Sequence, residues 1–250
     1  VKAAGYNVQG VDINKSGKVW EISEDGKTLI QPLSAIKGVG DAAIKEILDH
    51  RPFKTIEEFL FHPRVSYSKL NKKNVDALCR SEALLSLMDS RFTGGKHFWS
   101  AVAVDRPRKP DNLNENIKTY AAEGEFTRDE KILNTLELTG VYPINMIVSE
   151  DVQKKLAEKM IPPLGEFDQE LGICWFIPKN IEKKTTKKGS QYLIVEAIDE
   201  TNIVTKIKCW KFDPKKDVIH LNHPYVARLE YQEDWGFSVR SINKAFKLIG

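Results

Sequence analysis

Apolar residues recur at helical spacing between residues 33 and 90. Ile44, Ile47 and Leu48 follow the i, i+3, i+4 pattern of one helix face. The same spacing recurs after Pro52, at Ile56, Phe59 and Leu60, and then at Val75, Leu78 and Cys79. The pattern therefore predicts three short helices in this part of the chain.

The segment before residue 31 has short apolar runs separated by turn residues. The runs KVWEI and TLIQPL flank Glu24-Asp25-Gly26-Lys27. An Asp-Gly pair between two such runs is typical of a β-hairpin. We therefore expect a small mixed segment ahead of the helices.

Residues 93–125 lose this periodicity, and the run DRPRKPDNLNEN contains several helix breakers. They are predicted to form a linker or an elaborated loop. Helices are predicted again behind Thr127, where Thr-Arg-Asp-Glu has the capping-box pattern, and behind Ser149. Pro162-Pro163 should stop the second of these.

After Gly165 the pattern changes to strands. Five runs follow at even spacing, GICWFI, QYLIVEAI, IVTKIKCWKF, YVARLEYQ and FSVRSI. This number of strands is expected for a small barrel of the OB type, which commonly binds single-stranded nucleic acid, with an SH3-like barrel as the main alternative.

The run LSAIKGVGDAAI, beginning at Leu33, is the sharpest local motif. Its apolar residues at 33, 36, 39 and 44 would join two short helices around a turn made by Gly38 and Gly40. Such a helix-hairpin-helix presents N–H groups at a helix start, where a phosphate oxygen is favoured. The alternative is a glycine turn between two ordinary helices.

A second basic element, Lys69 to Val75, opens the next helix. It is either a solvated helix start or the second half of a paired helix-hairpin-helix unit, and the sequence favours neither. The predicted contacts to duplex phosphates are Lys37, Gly38, Val39, Gly40, Asp41, Ala42, Lys45, Asn71, Lys72 and Lys73.

Lysines cluster between the first two predicted barrel strands, and aromatic residues lie in or near the strands. Lysines that follow phosphates and rings that stack on bases are what a single-strand groove requires. The predicted single-strand contacts are Lys183, Lys184, Thr185, Lys187, Lys188, Tyr192, Lys206, Lys208 and Trp210. We expect Trp175 and Trp235 to be core residues, and the pattern leaves Trp210 open.

Charge supports this division of the chain. Residues 1–110 carry 18 Lys/Arg against 13 Asp/Glu, residues 111–170 carry 6 against 13, and residues 171–250 carry 14 against 9. Two basic blocks therefore flank an acidic one, which suggests two surfaces that could meet a polyanion, although charge alone favours a merely solvated surface. The three widely spaced cysteines favour reduced thiols in a cytoplasmic protein.

No catalytic or metal-binding residue is predicted. The sequence has no GxxxxGK[ST], GxSxG or HExxH motif, and His220 with His223 has no third ligand. No apolar run is long enough to cross a bilayer. The start at Val1, with neither Met nor a signal peptide, is interpreted as that of a fragment.

The order of the motifs resembles the alpha subunit of bacterial DNA polymerase III, the C-family replicases. The matching runs are AAGYNVQGVDINKSGKVWEI, IQPLSAIKGVGDAAIKEIL, PFKTIEEFL, KLNKKNVDAL, LELTGVYPINMI and ICWFIPKNIEKKTTKKGSQYLIVEAIDETN. Together they cover nearly the whole chain, in the family's order.

This resemblance implies an α+β, multidomain chain, with a small helical helix-hairpin-helix domain followed by a five-stranded OB-fold β-barrel. The expected parts are 1–30, an end-of-fingers-like segment; 31–90, a tandem helix-hairpin-helix DNA-binding domain; 91–125, a linker; 126–170, a helical connector; and 171–250, the OB-fold domain.

The resemblance also implies a parent protein that is a DNA-directed DNA polymerase, with its Mg²⁺-binding catalytic carboxylates upstream of Val1. Its implied partners are duplex and single-stranded DNA, a sliding clamp and other replisome subunits. The alternatives are a non-enzymatic DNA-binding accessory protein and another helix-hairpin-helix plus OB enzyme such as an NAD-dependent ligase. The polymerase-like DIN and TGxxPIN segments argue against the ligase.

Three departures from the family pattern stand out. Val141-Tyr142 replaces a Gly-His, Ser81-Glu82-Ala83 replaces an Ala-Gly-Ala-Phe-like turn, and Trp210-Lys211 replaces a Phe-Pro. No convincing clamp-binding peptide of Gln-x-x-aliphatic-aromatic type lies between residues 87 and 126. A divergent replicase such as that of a phage would fit these departures.

Overall fold

The chain divides into two compact units. The computed structural model describes residues 7–201, 203–213 and 216–249, apart from the side chain of Asn243. The first unit ends at Val141 and the second begins at Tyr142. This boundary divides the predicted helical connector, residues 126–170, between the two units.

The first unit contains a small sheet followed by helices. Its strands are β1 (Asn7–Gln9), β2 (Glu21–Ile22) and β3 (Thr28–Ile30). Its helices are α1 (Asp41–His50), α2 (Ile56–Phe61), α3 (Lys72–Arg80), α4 (Gly95–Trp99), α5 (Pro110–Thr119) and α6 (Arg128–Thr139). Short 3-10 turns lie at Leu33–Ala35 and Leu85–Leu87, and a π-helical turn at Ser100–Val104 continues α4.

The predicted hairpin at Asp25-Gly26 is confirmed. Strands β2 and β3 pair antiparallel, and β1 pairs parallel with the other side of β3. Gly26 has φ +69°, the left-handed conformation that this tight turn requires. Residues 7–30 thus form a separate small sheet at the start of the unit.

The helices predicted from the apolar spacing are also confirmed. The predicted joining residues Leu33, Ile36, Val39 and Ile44 are all buried in one core. The first arm of the hairpin, however, is only a 3-10 turn, so the motif has one full helix after its turn and a single tight turn before it.

The prediction of a linker at 91–125 is wrong. Helices α4 and α5 and the π-helical turn occupy this segment, and Phe92, Phe98, Val102 and Leu113 lie in the same core as the predicted helices. His97 is fully buried as well, where its Nδ1 accepts from the Thr93 N–H at 2.9 Å and its Nε2 donates to the Ile117 carbonyl at 2.8 Å.

The second unit packs short helices against a curled sheet. Its helices are α7 (Ile144–Ile147), α8 (Glu150–Glu158) and α9 (Ile242–Ala245). Its strands are β4 (Ile173–Thr185), β5 (Gln191–Ile198), β6 (Thr205–Cys209), β7 (Tyr225–Arg228), β8 (Glu230–Gln232), β9 (Gly236–Val239) and β10 (Phe246–Leu248).

The strand order of this sheet is β10-β7-β4-β5-β6-β9-β8. Only Leu229 separates β7 from β8, although β7 pairs with β4 and β8 pairs with β9. The continuous segment 225–232 therefore pairs with β4 through β7 and with β9 through β8, and this double pairing curls the sheet. The predicted count of five strands is not exact, because the fourth run is split at Leu229 and the additional strand β10 pairs with β7.

Side chains alternate in direction along the strands, and those on one face fill the interior of the curled sheet. Cys174, Phe176, Val195, Ile207 and Cys209 are fully buried in its core. Cys79, Cys174 and Cys209 are free thiols, and burial raises the pKa of the latter two to about 12. Among the described residues, no helix is long and apolar enough to cross a membrane.

Candidate nucleic-acid interface

The hairpin of the first unit lies between the Leu33–Ala35 turn and helix α1. Gly38 has φ +95°, a conformation that L side chains rarely adopt, whereas Gly40 is extended with φ −81°. Val39, between them, is buried, and its N–H donates to the Ile36 carbonyl at 3.2 Å. Its predicted role in DNA contact therefore reduces to anchoring the turn.

Helix α1 begins without a side-chain cap. Its N-cap residue is Gly40, whereas Thr55, Asn71, Thr127 and Ser149 each accept an N–H bond at the start of α2, α3, α6 and α8. Within the part of the chain that the structure describes, no acceptor is found for the N–H groups of Gly38, Gly40, Asp41 and Ala42. An anion at this point would meet several donors and the positive end of the helix dipole.

Two neighbouring elements hold the turn in place. The Asn74 amide donates to the Gly38 carbonyl at 2.6 Å, and the Lys37 N–H donates to the Leu138 carbonyl at 2.7 Å. Asn71 and Asn74 form a reciprocal capping box at the start of α3. The cap uses only Oδ1 of Asn71, which accepts from the Lys73 and Asn74 N–H groups, so the phosphate contact at the Asn71 amide nitrogen stays a prediction.

The lysines near the hairpin differ in how far they are engaged. Lys37 and Lys73 are exposed, and no ion pair of the described residues involves either of them. A methyl group built on Gly38 would lie 3.8 Å from Cε of Lys73, which places that side chain directly beside the turn. Lys73 is therefore the cation beside the hairpin, whereas Nζ of Lys37 lies 3.0 Å from a methyl group built on Gly140, at the end of α6.

The other predicted charges of this surface have partners. Lys45 pairs with Asp49 at 2.6 Å, which raises the pKa of Lys45, and Asp41 pairs with Lys18 at 3.2 Å. Lys72 Nζ donates to the Val104 carbonyl at 2.6 Å. A phosphate would have to compete with these contacts.

The second turn of the helical region departs from the family pattern at Glu82. Glu82 has φ +65°, a position where glycine costs less, and the adjacent Ala83 is buried. The Ala83 carbonyl accepts from the Ile13 N–H at 2.9 Å, so this turn also connects the helices to the segment before β2.

In the second unit, the outer face of β5 and β6 carries the predicted aromatic and basic side chains. Register pairs Ile194 with Lys208 and Glu196 with Lys206, while the residues between them face the core. Lys206, Lys208 and Trp210 therefore share one face, as predicted. The centroids of the Tyr192 and Trp210 rings lie 4.8 Å apart at an interplanar angle of 33°, so the rings form a tilted pair on that face, the Tyr192–Trp210 platform.

The prediction that Trp235 is a core residue is wrong, since 60% of it is exposed. It lies in the turn between β8 and β9, where Lys208 Nζ is 5.2 Å from the ring centroid and donates to the Trp235 carbonyl at 3.1 Å. A turn position gives no alternation from which its burial could be predicted. Trp175 is buried, as predicted.

The lysines between β4 and β5 lie on and around a tight turn. Gly189 adopts φ +83°, and its N–H donates to the Thr186 carbonyl at 2.9 Å. Lys187 and Lys188 are exposed on this turn, and no ion pair of the described residues involves them.

The other predicted groups of this surface have varied surroundings. Lys184 pairs with Glu182, Lys206 pairs with Glu196 at 3.5 Å, and Lys183 lies 6.0 Å from the Phe212 ring centroid. Thr185 is exposed at the end of β4. Acidic residues thus lie on the same face as the lysines and reduce its net positive charge.

No site for a metal ion is found among the described residues. No group of three or more His, Cys, Asp or Glu side chains converges there, and His220 and His223 have ring centroids 5.7 Å apart without a third ligand. The residues described do not fit the Mg²⁺ that the family resemblance implies for the parent enzyme. We therefore assign no metal-dependent step to them.

Comparisons with known proteins agree with the helical architecture. The helix-hairpin-helix motif family matches residues 5–93. The DNA polymerase III subunit alpha of Helicobacter pylori is 27% identical over 214 residues, which cover 80% of this chain and 17% of that protein. The corresponding subunit of Pseudomonas fluorescens is 33% identical over 132 residues, or 52% of this chain and 11% of that protein.

The subunit of Thermus aquaticus is 33% identical over 87 residues, which cover 33% of this chain and 7% of that protein. Even in the longest of these matches, the chain spans only about a sixth of the length of its relative. The predicted resemblance is confirmed: over 80% of its length the chain is similar to the alpha subunit of bacterial DNA polymerase III, and its first part matches the helix-hairpin-helix motif family.

Proposed function

We propose that this chain is the DNA-binding portion of a replicative DNA polymerase, in which the hairpin at Gly38–Gly40 grips duplex DNA by its phosphates. The observation that carries the proposal is the uncapped start of α1, with donors at Gly40, Asp41 and Ala42 and with Lys73 beside the turn. Backbone donors to phosphate hold a duplex without reading its sequence.

We further propose that the outer face of β5 and β6 binds a single strand. The Tyr192–Trp210 platform offers a surface for base stacking, Lys208 offers charge on the same face, and Lys187 and Lys188 are exposed on the turn that leads into β5. The curled sheet with a parallel pair of β6 and β9 supports an OB-type assignment, whose corresponding face and loops bind oligonucleotides.

The single-strand proposal predicts two separable effects on oligo-dT binding by the full chain. Trp210→Ala should cost about 1–3 kcal/mol with little change in the slope of log affinity against log salt, because stacking releases no counterion. The double change Lys187→Gln with Lys188→Gln should lower that slope by about 0.7 for each lysine that meets a phosphate.

The measurement is titration of oligo-dT at several salt concentrations, after circular dichroism has shown that each variant is folded. Lys154→Gln with Lys155→Gln is a matched control, because both lysines are exposed on α8 in the same unit. If Trp210→Ala and the 187/188 variant leave oligo-dT binding unchanged, the face has a protein partner or none.

The polymerase proposal also predicts what the purified chain does with a primed template. We expect it to bind the template without extending the primer in Mg²⁺, because no cluster of metal-ligating side chains is found among the described residues. Gel analysis of a labelled primer is the measurement. Nucleotide incorporation by the purified chain would contradict this part of the proposal and place a catalytic site within it.

The alternative is a non-enzymatic DNA-binding accessory protein. Both functions need the same hairpin, so its geometry does not separate them. The relatives favour the polymerase, since each is a subunit of DNA polymerase III. Sequencing the gene upstream of Val1 tests this choice, because the polymerase requires carboxylates for two-metal catalysis there.

A further inference from the structure

A cleft of about 800 Å³ opens in the first unit beside the start of α3. It lies against the segment Asp105–Arg108, which sequence patterning assigned to a linker. Its chemically distinctive lining residues are Phe61, Tyr67, Lys72, Arg106 and Arg108. These rings and cations belong neither to the hairpin nor to the sheet of the second unit, so the functions proposed above do not use them.

The aromatic wall of the cleft is held rigidly. The Arg106 guanidinium lies over the Tyr67 ring, 5.0 Å from its centroid, and donates to the Leu70 carbonyl at 2.9 Å. The Tyr67 hydroxyl donates to the Leu60 carbonyl. Yet 42% of Tyr67 is exposed, so a fixed ring and guanidinium pair faces the solvent. Aromatic rings and arginine planes are the surfaces on which proteins stack unpaired bases.

The rim of the cleft is basic. Lys72, Arg106 and Arg108 line it, against a single acidic lining residue, Asp105. Arg108 is exposed, and no ion pair of the described residues includes it. The cleft therefore combines a stacking surface with an excess of cations, which matches a base attached to a phosphodiester.

The position of the cleft relates it to the hairpin. Lys72 lines the cleft, and the next residue, Lys73, lies beside Gly38. Both lysines lie in the first turn of α3, so the cleft and the hairpin border the same helix start. A strand with a phosphate on the hairpin can thus place an adjacent unpaired nucleotide in the cleft.

We propose that this cleft binds an unpaired nucleotide that continues a duplex held by the hairpin. The inference rests on the proposed duplex-binding function and adds a second contact to it. The base would stack on the Tyr67–Arg106 pair, and its phosphate would meet Arg108 and, in competition with the Val104 carbonyl, Lys72. The first unit would accordingly bind the junction of single and double strands more tightly than a blunt duplex.

The test uses the full chain and duplexes with 2-aminopurine as the first unpaired nucleotide, at a 5′ or a 3′ extension. Stacking in the cleft should quench the fluorophore and make one extended duplex bind at least about fivefold more tightly than the blunt duplex, the equivalent of about 1 kcal/mol of stacking. Tyr67→Ala should abolish both the quenching and the preference, while Tyr67→Phe, which keeps the ring, should retain them.

Three further variants make the result decisive. Arg108→Gln, at an exposed position that folding should tolerate, is expected to lower the salt slope for the extended duplex by about 0.7, and Arg228→Gln on β7 is the matched control without effect. Trp210→Ala should leave the quenching intact. Quenching lost in Trp210→Ala but kept in folded Tyr67→Ala would overturn the proposal in favour of the second unit.

The failure of this proposal is distinguishable from that of the proposed function. If Gly40→Val abolishes blunt-duplex binding while Tyr67→Ala and Arg108→Gln alter nothing, the hairpin function stands and the cleft assignment is wrong. If the wild-type chain binds neither duplex, both are wrong.

Discussion

Replacing Phe98 by Ala should lower the free energy of unfolding of the first unit by about 3–5 kcal/mol. Phe98 is only 1% exposed, and its ring packs edge to face on Phe92 at 4.8 Å between centroids. It lies in one core with Leu33, Ile44 and Leu78 from the predicted helices. Truncation would leave a cavity that this close-packed core can refill only in part.

Urea denaturation followed by the helical circular-dichroism signal measures this effect. Val104→Ala, in the same segment but at an exposed position, is the matched control and should change stability by no more than about 0.5 kcal/mol. Equal and small effects of the two substitutions would mean that residues 91–125 are a peripheral loop after all.

Gly40→Val should weaken duplex binding at least about tenfold while leaving the fold intact. Gly40 has φ −81°, and a Cβ built there has no heavy atom within 4 Å, so the protein itself accepts the side chain. The added side chain would project into the space where a phosphate approaches α1. Losing one charge-assisted hydrogen bond costs about 1.5–3 kcal/mol, which corresponds to about tenfold or more.

Gly38 behaves differently, since its φ of +95° strains any L residue by about 1–2 kcal/mol. Gly38→Ala should therefore reduce both stability and binding, whereas Gly40→Val should reduce binding much more than stability, its cost to the fold being that of a poorer N-cap. Gly10→Val is the matched control, because nothing lies within 4 Å of a Cβ there either.

Fluorescence anisotropy with duplexes of different sequence measures these affinities. Because the contacts are to the backbone, the loss should be the same for every sequence. A sequence-dependent loss, or unchanged binding by folded Gly40→Val, would count against close phosphate approach at the hairpin.

The parts of the fold that could be predicted depend on local patterns. The hairpin was readable because Leu33, Ile36, Val39 and Ile44 carry its packing within twelve residues, and each is buried. The capping box at Thr127 was equally local, since Glu130 lies three residues away. Both signals need no knowledge of distant segments.

Helices α4 and α5 were missed because their apolar residues do not recur at helical spacing: they form a run from Phe98 to Val104 that only Ser100 interrupts, and α5 buries Leu113 among Asp, Asn and Glu. His97, Ser100 and Ala101 are buried between them and the core, and the polar pair is satisfied by bonds to Ile117 and Glu123. A search for hydrophobic periodicity does not register buried polar residues such as His97 and Ser100. The burial of this segment depends on tertiary contacts instead.

The supports of the candidate site were missed because they are distant in sequence. The Leu138 carbonyl accepts from Lys37, and the Asn74 amide donates to Gly38. For the contact between Asn74 and Gly38, the local signal is the Asn71-x-x-Asn74 spacing, which is typical of a helix cap. Conversely, sequence alone overestimated the number of lysines that are free to meet a phosphate, because Lys45 and Lys184 form ion pairs with acidic neighbours.

The claim that the hairpin holds duplex DNA by its phosphates is tested most directly by amide chemical shifts of the full chain. On titration with a duplex, the N–H signals of Gly38, Gly40, Asp41 and Ala42 should shift most within the first unit, and should shift alike for two unrelated sequences. Duplex binding without any shift at these four amides would contradict the account.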